Sequence, residues 1–126
     1  MIKDKLHTIS DEDAIEAGKI LLKTSTSSLY DFSFDKITRI KYDTQDGTDA
    51  EESVNVYFNA VVKNDMHRKS GWKDEKIIIK LIEKDRYHDY PYFYANSIQE
   101  PKTTWSYMFL SNQIEATEFL QSKNII

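Results

Sequence analysis

Val54-Asn55-Val56-Tyr57-Phe58-Asn59-Ala60-Val61-Val62 is the stretch whose reading decides the fold. Val54, Val56, Phe58, Ala60 and Val62 alternate with Asn55, Tyr57 and Asn59 as far as Ala60. Successive side chains of an extended chain point to opposite faces. The segment therefore reads as a strand with the first set inward and the second on the other face. Downstream, residues 76–83 repeat the pattern, with Ile77, Ile79 and Leu81 on one face and Lys76, Ile78, Lys80 and Ile82 opposite. Upstream, Phe32-Ser33-Phe34 starts a short strand. Residues 37–42 form another, with Thr38, Ile40 and Tyr42 on one face and Arg39 and Lys41 on the other. The acidic stretch 43–52 and the polar stretch 64–75 read as the connecting loops.

Further along, Tyr87-His88-Asp89-Tyr90-Pro91-Tyr92-Phe93-Tyr94 places Tyr90, Tyr92 and Tyr94 in alternation, and Trp105, Tyr107 and Phe109 alternate shortly after. Two more strands are expected, over residues 90–96 and 104–110. Pro91 suits a strand entry or an edge, because it lacks a backbone donor. Pro101 falls in the turn between them.

Helical spacing appears only at the two ends. Ser10 is an N-cap residue with Asp13 in the capping-box position, and Asp11, Glu12 and Asp13 match the positive end of the helix dipole. Ala14, Ala17, Gly18, Leu21 and Leu22 share one arc and Glu12, Glu16, Lys19 and Lys23 the other, so residues 11–23 form an amphipathic helix. Gly18 on the apolar arc costs about 1 kcal/mol of helix propensity, which a close approach to a sheet would justify. At the other end, Ala116, Phe119 and Leu120 define a narrow apolar face over residues 111–123, with Ser111 or Asn112 as cap. Strands grouped between helices predict an α+β class: an N-terminal amphipathic helix, an antiparallel meander of four to five strands and a C-terminal helix. No linker or repeat divides the chain, so one domain over residues 1–126 is expected.

The 126 residues carry a net charge of −4 and no cysteine. That charge gives no general attraction to nucleic acid or to an anionic membrane. Thiolate chemistry, disulfides and cysteine-held metals are excluded outright. The charged N-terminal segment resembles neither a leader nor a span, so the expected setting is cytoplasmic, without membrane contact. His7, His67 and His88 each lie near an aspartate, but none has metal-ligand or triad spacing. The acidic stretch 43–52 has the wrong register for a calcium loop, with Tyr42 and Thr44 where carboxylates or amides belong. With three glycines there is no phosphate-binding fingerprint. No metal, cofactor or catalytic residue is assigned, and enzymatic activity is the minority reading.

Ile9-Ser10-Asp11-Glu12-Asp13-Ala14-Ile15-Glu16 and Glu115-Ala116-Thr117-Glu118-Phe119-Leu120-Gln121-Ser122-Lys123 resemble the terminal helices of small uncharacterised proteins of Bacteroides-group bacteria and their phages. Asn124 stands where those sequences place a glycine, and asparagine also serves as a left-handed cap. The resemblance implies a mobile-element setting and carries over no site residues.

The expected function is that of a non-enzymatic binding or accessory protein acting through protein–protein contact. The expected contact residues are Tyr90, Tyr92, Tyr94, Trp105 and Tyr107, with Trp72 and Arg68 from the one cationic loop. A second copy of the chain is among the candidate partners. The competing account of Trp72 is that it folds back to cap the sheet. The alternatives are a small-ligand pocket between sheet and N-terminal helix, lined by aromatics with Asn55, Asn59 or His88, and a nucleic-acid-binding module.

Overall fold

The computed structural model describes residues 6–23, 30–40, 52–84, 92–99, 102–104 and 112–125. A 3-10 turn, Leu6–Thr8, leads into helix α1, Asp11–Leu21. Ser10 caps α1 as its sequence predicts, its hydroxyl accepting from the Asp13 N–H at 3.2 Å. Three long antiparallel strands follow, β1 (Tyr30–Ile40), β2 (Glu52–Val62) and β3 (Glu75–Lys84). The sheet continues through β4 (Tyr92–Gln99) and the short β5 (Lys102–Thr104), in the order β1-β2-β3-β4-β5. Helix α3, Gln113–Ser122, lies near the C-terminal end. The α+β class, with an antiparallel sheet and helices at both ends, follows the alternation and the two capped helical segments.

The core forms on one face of the sheet. Val54, Val56, Phe58, Ala60, Val62, Ile77, Ile79 and Leu81 are buried there against Leu6, Ala14, Ala17 and Leu21. Helix α1 and the 3-10 turn rest on β2 and β3, and α3 packs beside α1. Gly18 marks the closest approach: a Cβ on it would come 2.8 Å from Phe58 Cε2. The glycine on the apolar arc is thus a packing requirement.

Helix α3 ends in a complete left-handed cap. Asn124 has φ 59°, its N–H bonds the Gln121 carbonyl at 3.0 Å, and the Ile125 N–H bonds the Leu120 carbonyl at 3.0 Å. This is the hydrogen-bond pair of the Schellman motif, with buried Ile125 and Leu120 at its two ends.

The structure departs from the sequence reading in four places. Residues 64–75 are not loop throughout: Asn64 caps a short helix, α2 (Asp65–Lys69), through His67 N–H at 2.9 Å. The two short strands read around residues 32–42 are one eleven-residue strand broken in register at Asp35. The first aromatic strand, expected to end at Asn96, runs on to Gln99. Asn112 makes no side-chain cap on α3. Its amide instead donates to the carbonyls of Ile20 and Lys23, tying the end of α1 to the start of α3. Periodicity predicts a helix end, but which carbonyls a terminal amide reaches depends on the tertiary neighbour.

Candidate interaction surface

Among the described strands, β1 lies at the end of the order, beside β2. Opposed residues in an antiparallel pair share a face, so its register on β2 assigns each side chain. Tyr30 opposes Val62, Phe32 opposes Ala60 and Phe34 opposes Phe58, which puts all three aromatics on the helix side. Beyond the bulge the parity reverses, and Ile37 and Arg39, opposing Val56 and Val54, take the helix side. Thr38 and Ile40 then fall on the second face, opposite Asn55 and Ser53.

The helices lie over β2 and β3, so the aromatic row on β1 is only partly covered. Tyr30 is buried, Phe32 half-buried and Phe34 42% exposed. Tyr30 and Phe32 rings are 5.9 Å apart, and Phe34 meets Phe58 edge-on at 6.4 Å. Trp72 extends the row, its ring edge-on to Tyr30 at 6.1 Å, and remains 41% exposed.

The connection between β2 and β3 is built to deliver that indole. Gly71, at φ +100°, takes a conformation that side chains disfavour, and its N–H bonds the Arg68 carbonyl at 3.1 Å. The Trp72 N–H then bonds the His67 carbonyl at 3.1 Å. Asp74 closes the loop by accepting from the Val62 N–H at 2.9 Å and from Arg68 Nη2 at 2.8 Å. The Val62 N–H, helped by Arg68, holds the Asp74 carboxyl below its ordinary pKa. Burial, reinforced by Glu75 and Asp74, holds the Tyr30 phenol above its own. Among the described residues, His67 Nδ1 is the one buried side-chain nitrogen or oxygen without a hydrogen-bond partner.

The second face is different in kind. Near β1 it is a charged lattice: Asp31 with Lys63 at 3.9 Å, Asp35 with Lys76 at 3.2 Å, and Lys36 Nζ 4.8 Å from the Tyr57 ring. Toward β3 it is closed, with Ser53, Asn55, Ile78 and Ile82 all buried although they stand outside the helix-side core. Asn55 donates to Thr38 Oγ1 and accepts from Ser53 Oγ, both at 3.4 Å.

Of the residues expected to make contact, Trp72 sits on the aromatic row and does fold back onto the sheet. Arg68 is engaged by Asp74 and serves the loop. Tyr92 and Tyr94 stand at β4 register positions opposite Ile82 and Lys80, positions of the second face. β4 lies three strands from β1, against which Trp72 packs. Tyr90, Trp105, Tyr107, His88 and the acidic stretch 43–51 lie outside the described residues. Asn55 and Asn59 lie on the face away from α1, so they do not line the space between helix and sheet. The sequence signal for the missed surface was present: Tyr30-Asp31-Phe32-Ser33-Phe34 alternates as Tyr90 to Tyr94 does.

No protein-family model, curated protein or solved structure matches the chain at a significant level. Among the described residues no group of three or more histidine, aspartate or glutamate side chains is placed to hold a metal ion, and no helix is long and apolar enough to cross a membrane.

Proposed function

We propose that this chain is a non-enzymatic binding or accessory protein that acts through contact with another protein, in a cytoplasmic, mobile-element setting. The observation that carries the reading is the row Trp72, Tyr30, Phe32 and Phe34, partly open at a sheet margin and held in place by a purpose-shaped connection. Aromatic rings that are pre-positioned and half-exposed give large contact area at little entropic cost, and they dominate protein interfaces. The Tyr90, Tyr92, Tyr94, Trp105 and Tyr107 group is a second candidate patch within the same proposal.

The test is affinity capture from the producing cells with tagged wild type, Trp72→Ala/Phe34→Ala and Tyr92→Ala. Loss of the captured protein in the first variant, with a melting temperature within a few degrees of wild type, is the expected result. Loss only in Tyr92→Ala moves the contact to the second patch. Retention in both variants overturns the proposal.

A further inference from the structure

We propose that the chain self-associates through the outer face of α1, packed antiparallel on α1 of a second copy, with a two-fold axis passing between Ala17 and Gly18. The proposal concerns the side of α1 that faces away from the sheet, and does not rest on the partner reading above.

Glu12, Glu16, Lys19 and Lys23 are all exposed. The Lys23 N–H bonds the Ile20 carbonyl at 3.2 Å, so the last turn carries on to it. At 100° per residue the four side chains fall within an arc of about 60°. That arc lies opposite the buried Ala14, Ala17 and Leu21. Along it the order is acid, acid, base, base.

Inside one helix this order is poor. Glu12 and Glu16 are like charges four residues apart, and so are Lys19 and Lys23, a spacing that destabilises a helix. The helix dipole accounts for Glu12 in the first turn and Lys19 in the last, but not for Glu16 between them. No ion pair among the described residues engages any of the four, whereas Asp11 on the same helix meets Arg39 at 2.7 Å.

Antiparallel packing on a second copy turns the same order into a match. Around an axis between Ala17 and Gly18, Glu16 meets Lys19 of the second copy and Glu12 meets its Lys23, each pair occurring twice. A slip of one turn in either direction keeps only one of the two kinds of pair. A parallel arrangement sets every charge against its own kind. One register alone therefore joins all four residues, and the sequence of the stripe identifies a second copy as its occupant. Exposed ion pairs are individually weak and screened by salt, so the association is weak and salt-sensitive, with its specificity in the register.

Sedimentation equilibrium of the full-length chain tests the register. Wild type is expected to dimerise at low salt, with a Kd at least about tenfold weaker in about 0.5 M sodium chloride. Glu16→Lys/Lys19→Glu keeps the net charge of −4 and restores opposite signs in every pair, so it should dimerise as wild type does. Glu12→Lys/Lys19→Glu has the same composition but sets like charges opposite each other in all four pairs. It should weaken self-association more than about tenfold.

The cysteine-free chain offers an independent readout. Glu12→Cys/Lys23→Cys should give a covalent dimer with a short bis-maleimide, because these positions face one another across the axis. Within one helix they stand about 16 Å apart, too far for the reagent to span. Either single cysteine variant meets its own counterpart at a similar distance along the axis and should stay unlinked. A wild type that is monomeric at every concentration reached at low salt overturns the proposal. So does equal association of the two charge-swapped variants, or equal cross-linking of the single and double cysteine variants. The cysteine readout still decides the matter where a charge swap prevents folding.

Discussion

Strands β1 and β2 have the same length and lie side by side, yet they live in different environments. The helix-side residues of β2 are all buried, whereas those of β1 grade from buried Tyr30 to Phe34 in partial contact with water. Their alternation before the bulge is equally good. What differs is the layer above: α1 and the 3-10 turn rest on β2 and β3. Apolar alternation shows that a segment can be a strand with one oily face. Whether that face is filled depends on elements elsewhere in the chain.

The sharpest break of this comparison is Phe58→Ala on β2, which removes the ring touched by both Gly18 and Phe34. A loss of about 3–5 kcal/mol is expected in urea unfolding. Gly18→Ala attacks the same contact from the helix. Overpacking against Phe58, roughly 1–3 kcal/mol, should outweigh the ~1 kcal/mol gain in helix propensity and lower the melting temperature. A rise would show that the α1 approach to β2 is looser than the 2.8 Å geometry implies. Asn112→Ala loosens the helix pair that covers β2 by removing the amide that bonds the carbonyls of Ile20 and Lys23, and should cost about 1 kcal/mol.

On the β1 side the effects shrink. Phe34→Ala gives up one edge-on ring contact at a half-wet site and should cost about 1 kcal/mol or less. A loss as large as that of Phe58→Ala would mean that β1 is as deeply packed as β2. The smallest effect belongs to Asp74→Asn, which weakens the clasp that holds the Trp72 loop. The Asp74 carboxyl titrates below its ordinary value of 3.8 in the folded chain. Its contribution is therefore complete above that value and is lost as pH falls through the lowered one. The melting difference between wild type and Asp74→Asn should be constant near neutrality and vanish on acidification. A difference that persists in strong acid would assign the effect to packing rather than charge.

Much of the framework was legible because it rests on local rules. Val54 to Val62 alternates, Ser10 caps, and Asn124 turns left-handed, all through interactions within a few residues. Ile78 and Ile82 show where such rules stop. Their spacing with Lys76 and Lys80 marks a polar second face, yet both are buried. The same holds for Arg68, whose charge suggested a partner but whose guanidinium meets Asp74 six residues on. The aromatic run at Tyr90 to Tyr94 drew attention by density, while the sparser row at Tyr30 to Phe34 grades from buried to 42% exposed.

The sequence by itself determined the α+β class, the inward face of β2 and β3, the Ser10 cap of α1 and the Asn124 cap of α3, since side-chain alternation and capping bonds are short-range. Only the tertiary structure decided three further matters. It set the helix layer over β2 and β3, turned Asn112 from cap to tether, and made the bulge at Asp35 bring Asp35 and Lys36 to one face. Each depends on surfaces brought together from distant parts of the chain, whose fit no local pattern encodes.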